Sequence, residues 1–340
     1  MSGSLLQRAQ AGDQQAFADL TAPHRRELHR HCYRLLGSIT DADDLLQETL
    51  VAAWRGLPGF AGRSTLRVWL YRIATNRCLN AIRDGKRRPP TVPVPPFEPP
   101  PPSRHDAVTW LQPYPDAWLD DPATAPPARV ETRETVGLAF VAALQLLPPR
   151  QTAALVLGDV LGFPVADGAD MLGVTPTAVK GLRQRARHAI RQRGAVAEGR
   201  VAAGVHGAQA ELVRRFADAF AADDVDAVVD LLTDDAWLRM PPAPHEYRGR
   251  PDIAAFLLAS AAGRAGRRLT LRPTRANGQP AFTCFLPTSR GAALEPSGVV
   301  VLDVVGDAIA GVTRFLDPRL PELFDCPVGG AAGPLAPLQG

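Results

Sequence analysis

Residues 62–83 read GRSTLRVWLYRIATNRCLNAIR. The spacing predicts a helix with two unlike faces. Leu66, Leu70, Ala74, Cys78 and Ile82 recur every four residues, and Trp69 and Ile73 widen that stripe, so this side belongs in a core. Arg72, Thr75, Asn76 and Arg83 lie largely away from it, and Lys86, Arg87 and Arg88 follow. Gly62-Arg63-Ser64 reads as a loop ahead of the helix, with Ser64 or Thr65 as its cap. Aromatics beside a basic groove suit unpaired bases, because stacking contributes about 1–3 kcal/mol per base. Trp69 taken alone fits the core better than a base platform.

Charge distribution carries the same message along the chain. The 340 residues suggest two or three domains, and the net charge of +3 alone says little. Residues 72–88 hold six Arg/Lys against Asp84, and residues 176–193 hold six Arg/Lys and no acid. A solvated helix face usually interleaves signs, so two one-signed windows point to a polyanionic partner. Cys32, Cys78, Cys284 and Cys326 are widely separated. They form neither a disulfide framework nor a zinc pattern, and His29 and His31 beside Cys32 do not converge on one helix. Small buried thiols in a reducing cytosol are expected, with no metal and no cofactor. No signal peptide and no membrane-length apolar run is visible, so a cytoplasmic protein with no membrane contact is expected.

Residues 1–88 read as helical throughout. RRPPTVPVPPFEPPPP at 87–102 then removes amide donors and fixes φ, so neither helix nor central strand continues. A Pro-rich linker is expected over 89–128, extended in its proline run. WLQPYPDAWLDDP at 110–122 is too apolar for an idle tether and is expected to dock on a neighbouring domain. A second helical block spans 129–193. After it, 207–232 and 251–260 read as amphipathic helices, and LTLRPTRA (269–276), PAFTCFL (280–286) and GVVVLDVVGDAIAGVTRFLD (298–317) as strands, with Gly306-Asp307 as a hairpin turn. That order implies an α+β domain over 205–327. The tail 328–340 is expected to be disordered.

Ahead of the opening stretch stands DADDLLQETLVAAW at 41–54, where Thr40 or Asp41 can cap a helix. Leu45, Leu46, Thr49, Leu50, Ala53 and Trp54 form one face. Asp43, Asp44, Gln47 and Glu48 form the other. In the second block, LPPRQTAALVLGDVLGF (147–163) starts a helix at its prolines. VADGADMLGVTPTAVKGLRQRARHAI (165–190) follows with helix-turn-helix punctuation: Val165–Leu172 as first helix, Gly173 as turn, Thr175 as cap and Pro176 as the start of the second helix. Val179, Leu182, Ala186 and Ile190 form its buried stripe, which leaves Lys180, Arg183, Arg185, Arg187 and Arg191 for DNA.

The string DADDLLQETLVAAWRGLPGF followed by GRSTLRVWLYRIATNRCLNAIR resembles region 2 of bacterial sigma-70-type factors of the extracytoplasmic-function class. The 165–193 block resembles region 4 of the same family. The resemblance implies two all-α sigma domains joined by the Pro-rich linker, and promoter recognition on core RNA polymerase without catalysis. Carried over, Asp43, Asp44, Gln47 and Glu48 face the clamp of the largest polymerase subunit, and region 4 meets the flap of the second largest. Arg63, Ser64, Arg67, Trp69, Tyr71, Arg72, Asn76 and Arg83 lie on or near the −10 element. Thr177, Lys180, Gly181 and Gln184 read the −35 element, and Arg183 and Arg187 grip phosphate. Asp167-Gly168 departs from the family pattern of an acid followed by a branched apolar residue, and a mid-helix Gly costs roughly 0.5–1 kcal/mol.

FADAFAADDVDAVVDLLTDDAWLRMPP (216–242) with YRGRPDIAAFL (247–257) resembles SnoaL-like domains of the NTF2-like fold, an α+β cone. The resemblance implies a pocket that could hold a small-molecule ligand, with Trp237, Met240, Phe256, Phe282 and Phe285 as lining candidates. His245, Asp303 and Arg314 are its polar candidates, with no pairing that specifies catalysis. Thirteen bases against sixteen acids over 205–327 speak against DNA binding there. A sigma-J- and sigma-G-like group carries such a domain, which implies regulation in cis. Two other readings remain at this point: a helix-turn-helix regulator that is not a sigma subunit, and a ligand-sensing or enzymatic NTF2-like domain fused to a DNA-binding module.

Overall fold

In a computed structural model, residues 2–85, 97–105, 111–119, 137–192, 208–241, 243–289 and 292–325 are described. The linker stretches 86–96, 106–110 and 120–136, with Lys86, Arg87, Arg88 and Trp110, lie outside them, as do 193–207 and the tail from 326. The chain forms two compact units. One comprises Met1–Arg88 with Ala139–Glu198, the other Pro89–Leu138 with Gly199–Gly340.

The first unit is helical. It contains α1 (Ser2–Gln10), α2 (Gln14–Leu36), α3 (Ile39–Gly56), α4 (Leu66–Arg83), α5 (Leu138–Gln145), α6 (Pro149–Leu155), a π-helical turn (Val156–Val160), α7 (Val165–Leu172) and α8 (Pro176–Gln192). Local chemistry sets the boundaries. Gly37 at φ 72° ends α2, and Ser38 opens α3 one residue later by accepting from the Asp41 amide at 3.1 Å. The cap is therefore Ser38, upstream of the expected Thr40 or Asp41. Thr65 accepts from Val68 N at 3.2 Å and caps α4, and Thr175 accepts from Ala178 N at 3.2 Å and caps α8. Leu28, Cys32, Leu36, Ile39, Ala42, Leu50, Ala53, Leu70, Ala74 and Cys78 fill the core between α2, α3 and α4.

The buried stripe of α4 is rotated from the expected one. Leu70, Ala74 and Cys78 are buried, but so are Val68, Tyr71, Thr75 and Ala81, while Leu66, Trp69, Ile73 and Ile82 are half-buried. The cause is a second packing partner: α7 and Phe163, which precedes it, lie against the flank of α4 expected to be free. The two helical blocks anticipated as 1–88 and 129–193 thus share one compact unit.

The second unit is α+β. Its seven-stranded sheet runs β1-β3-β2-β7-β6-β5-β4. The strands are β1 (Arg104–His105), β2 (Leu232–Met240), β3 (Ala243–Arg248), β4 (Thr270–Ala276), β5 (Gln279–Pro287), β6 (Leu294–Val305) and β7 (Ala308–Phe315). All pairs are antiparallel except β2 with β7. Helices α9 (Ala208–Ala222), α10 (Val225–Asp230), α11 (Arg250–Gly263) and α12 (Leu320–Asp325) complete it. The helix expected over 207–232 is two helices and the start of a strand. Asp223 takes φ 62° and ends α9, and Asp224 restarts the chain by accepting from Ala227 N at 3.0 Å. Strands β2 and β3 carry too many charges to read as strands by alternation alone. Gly306-Asp307 forms the expected β6–β7 turn, and Asn277-Gly278, both at positive φ, forms the β4–β5 turn.

Linker residues pack on this second unit. Phe97 sits 5.5 Å from the Phe256 ring, and Tyr247 Oη donates to Pro100 O at 2.8 Å. β1 adds a short edge strand beside β3. Leu111, Tyr114, Trp118 and Leu119 are buried. Around the Asn277-Gly278 turn, Asn277 N donates to Tyr114 O at 2.8 Å, Tyr114 N donates to Asn277 Oδ1 at 2.7 Å, and Gly278 N donates to Asp116 Oδ1 at 2.7 Å. Arg275 Nε reaches Asp116 Oδ2 at 3.1 Å. Asp116→Ala leaves the buried Gly278 amide unpaired and removes one of the two partners of Arg275, which keeps its bond to Gly278 O, so the loss is about 1–3 kcal/mol. Urea denaturation of the full chain should show that loss, and limited proteolysis should cut faster within 111–119.

Candidate nucleic-acid interface

Arg67 is wedged between a carboxylate and two rings. Its Nε lies 2.9 Å from Glu27 Oε2, and its guanidinium stands 4.9 Å from the Tyr71 ring centroid and 4.7 Å from that of Phe163. Tyr71 is wholly buried, edge-on to Phe163 at 5.0 Å and 5.0 Å from the His31 ring, with its hydroxyl 3.3 Å from Glu27 Oε2. Burial, then the Glu27 charge, pushes the Tyr71 phenol up. Burial also acts on Glu27, but hydrogen bonds from His24 and Arg67 outweigh it and hold that carboxyl below its usual range. Tyr71 is therefore a core ring here and not a surface platform, because Phe163 covers the flank it occupies. Thr75, expected on the open side, is buried with His31 Nε2 at 2.8 Å from its hydroxyl.

Other candidates on α4 are more open. Arg63 and Ser64 stand in the 60–65 loop, Arg63 exposed and Ser64 half-buried. Trp69 is half-buried, 5.0 Å from the Phe60 ring and against Gly56. Arg83 is exposed with its Nε 2.9 Å from Asp84. Arg72 and Asn76 are exposed but engaged by α7. Arg72 Nη1 lies 3.3 Å from Asp170 Oδ2, and Asn76 Nδ2 donates to Met171 O at 3.3 Å.

On α3 the acidic face is real and partly internal. Asp44, Gln47 and Glu48 are exposed and Asp43 is half-buried. Asp43 Oδ1 lies 3.2 Å from His29 Nε2, and Glu48 Oε2 lies 3.7 Å from Arg77 Nη1. Burial, with Asp43 and Glu48 nearby, pushes the Asp44 carboxyl up. Trp54 is half-buried and edge-on to Phe17 at 5.1 Å.

In the helix-turn-helix, Gly173 takes φ 61° and Thr177, Lys180 and Gln184 are exposed near the start of α8, with Gly181 half-buried. Gly168 packs without strain: a Cβ there would meet Val179 at 3.7 Å. Arg183 and Arg187 point elsewhere. Both bond Asp159 on the π-helical turn, Arg183 through Nε at 2.9 Å and Arg187 through Nε at 2.6 Å and Nη2 at 2.8 Å. Sequence reasoning missed Glu27, Phe163, Asp170 and Asp159. A usable signal existed for Asp159, which is the lone acid between Leu147 and Ala166.

The pocket candidates of the second unit do not come together. Met240, Phe256 and Phe282 belong to the core cluster between sheet and helices. Trp237 and Phe285 alternate with cluster residues Ala236, Leu238, Cys284 and the packed Leu286, so they face the other side of the sheet. There Arg239 stands 4.2 Å from the Trp237 ring and Arg272 stands 4.3 Å from that of Phe285. Arg314 donates to Phe315 O and Ser297 O. Asp303, pushed up by burial, has Gln279 Nε2 at 3.4 Å. His245 aligns with His105 across β1–β3. Among the described residues no three His, Cys, Asp or Glu could hold a metal ion, and no helix is long and apolar enough to cross a membrane.

Sigma-70 region 2 matches residues 20–88, Sigma-70 region 4 matches 137–190, and a SnoaL-like domain matches 213–312. The chain is 42% identical over 314 residues to the ECF RNA polymerase sigma factor SigG of Mycobacterium tuberculosis, covering 92% of this chain and 84% of that relative. The chain belongs to the ECF sigma factors. SigJ of the same organism is 31% identical over 241 residues, 69% of this chain and 70% of that one. The crystal structure of SigJ superposes with a TM-score of 0.57 at 23% identity, covering 86% of this chain and 94% of that one, which shows a shared fold. The sigma factor therefore carries both helical regions and a C-terminal α+β domain of the NTF2-like fold.

Burial, and secondarily Arg34, depresses the His31 imidazole to about 3, against an ordinary value near 6.5. A group whose folded value is depressed is neutral in the native state, while the unfolded chain takes up a proton below about 6.5. Stability from this site is complete above that value and falls as pH drops through it, by about 2 kcal/mol between pH 7 and pH 5. His31→Gln should flatten the difference between denaturation midpoints at those two pH values.

Proposed function

We propose that this sigma factor, which recognises promoters and initiates transcription on RNA polymerase, docks on the polymerase clamp through Asp43, Asp44, Gln47 and Glu48. In the same reading α4 with the 60–65 loop meets the −10 element, and Thr177, Lys180, Gly181 and Gln184 at the start of α8 read the −35 element. Region 4 meets the flap of the second largest subunit. The factor performs no reaction of its own and works in the cytoplasm, where polymerase and promoter are.

One observation carries the regulatory part. The groups that α4 offers outward, Arg72 and Asn76, are bonded to Asp170 and Met171 of region 4. Arg67 is held under Phe163. A −10 strand and region 4 thus compete for the same side chains, and the structure has the features of a closed, DNA-free form. Opening replaces one set of partners with another, a two-state element that a third component can bias.

The C-terminal domain supplies that bias in cis. Linker residues 97–105 and 111–119 are anchored on it, through Phe97, Tyr247 with Pro100, and the Asn277-Gly278 turn with Tyr114 and Asp116. Anchoring shortens the free tether between regions 2 and 4, and the reach of a tether sets what its ends can do together.

Asp44→Ala with Glu48→Ala should weaken binding to core polymerase about tenfold, measured by fluorescence titration. Unchanged affinity removes the clamp assignment. Asp170→Ala removes one contact of the closed form, so the holoenzyme should bind a forked −10 duplex more tightly. A weaker complex would show that Asp170 supports the open form instead.

A further inference from the structure

Asp159 stands on the π-helical turn that continues α6 in region 4. An extra residue in one turn re-aims a side chain. Here it turns a lone carboxylate toward the middle of α8. Arg183 gives Nε and Nη2 to Oδ1, and Arg187 gives Nε to Oδ2 and Nη2 to Oδ1. Both guanidinium groups dock side-on, the geometry of strong charge-assisted pairs. Arg183 crosses the face of Gly158 so closely that a Cβ there would land on its guanidinium. Gly158 and Asp159 together form a seat for two recognition-helix cations. Burial pushes the Asp159 carboxyl up, but the bonds and charges of Arg187 and Arg183 together outweigh it and hold it below its usual range.

We propose that Asp159 determines how much positive charge the recognition helix presents to DNA phosphate: it retains Arg183 and Arg187 internally and leaves base reading to the exposed N-terminal residues of α8. This rests on the reading of α8 as the −35 reader. The consequence is specificity. Phosphate contacts add affinity without sequence information, while base-edge contacts discriminate. A carboxylate that occupies two arginines suppresses the first kind and leaves the second. Thr177 and Lys180 are exposed six and three residues ahead of Arg183, Gln184 is exposed beside it, and the Asp159 ion pairs are made by Arg183 and Arg187.

The test uses the full chain bound to core polymerase. A duplex carrying both promoter elements, selected from random sequence by the wild-type holoenzyme, is compared with a scrambled duplex between 50 and 200 mM salt. D159N should bind the scrambled duplex more tightly, and log affinity should fall more steeply with log salt, by about 0.9 for each phosphate gained. The loss of affinity across that salt range should therefore grow about threefold per released arginine. Arg183→Gln with Arg187→Gln, added to D159N, should return the slope to the wild-type value. An unchanged slope overturns the proposal, and so does a shallower one, which would mean that Asp159 aims the arginines at phosphate. Should D159N not fold, G158A keeps the carboxylate but displaces Arg183, and it should steepen the slope by about 0.9 alone. No change there also overturns the proposal. If the wild-type holoenzyme selects no sequence with a −35 element, the reading of α8 fails instead, before any variant is compared.

Discussion

The Glu27–Arg67–Tyr71–Phe163 cluster is the packing contact that turns two helical blocks into one unit. Tyr71 is fully buried in it, and Arg67 is stacked between the two rings with its charge answered by Glu27. A stacked, paired guanidinium is worth more than an exposed ion pair, because rings and carboxylate act on it together while water is partly excluded. Arg72 with Asp170 adds little, since both side chains are more than half exposed. The packing of α4 against α7 therefore rests on the aromatic contact more than on the outer polar pairs.

The same logic extends along the chain. A polyanion-binding protein needs cations in excess on its reading faces, and unmatched cations repel each other when the polyanion is absent. Among the described residues five of these cations have an internal carboxylate: Glu27 for Arg67, Asp170 for Arg72, Glu48 for Arg77, Asp159 for Arg183 and Arg187. In the proposed reading, DNA binding is an exchange of carboxylate for phosphate. An exchange of like for like is nearly balanced, so modest influences, from salt to a docked linker, are enough to decide it. A factor built from strong unpaired cations would bind any DNA and could not be regulated by its own domains.

How far this was readable before the structure depended on what kind of signal each feature leaves. The helical blocks, the helix-turn-helix with its Thr175 cap, and the two basic windows follow from period, capping and charge, all local properties. The rotation of the α4 stripe was not readable, because Tyr71 and Thr75 are buried by Phe163 and His31, residues 92 and 44 positions away. Local periodicity reports one packing partner and α4 has two. Strands β2 and β3 escaped for a related reason. LTDDAWLRM carries three charges, yet Ala236, Leu238 and Met240 face the core on alternate positions. Trp237 and Phe285 were grouped with Met240, Phe256 and Phe282 by residue type alone. The pleat sends them to the opposite side of the sheet.

The linker shows how a composition that forbids regular structure can still order a chain. Prolines deny amides to a ladder, so few residues of the segment can donate. Tyr114, between two prolines, retains its amide and spends it on Asn277 Oδ1, while its carbonyl takes the Asn277 amide. That reciprocal pair imitates one rung of a sheet at the turn where β4 and β5 leave two backbone groups otherwise unanswered. Asn-Gly is favoured there because both residues tolerate positive φ, and the left-handed backbone is what leaves the Gly278 amide for Asp116. The hairpin turn is thus at once a folding element of the C-terminal domain and the socket for the tether between the two promoter-reading regions. A change that loosens the turn must therefore loosen the linker segment seated on it, because Tyr114 and Asp116 answer the backbone groups of that turn.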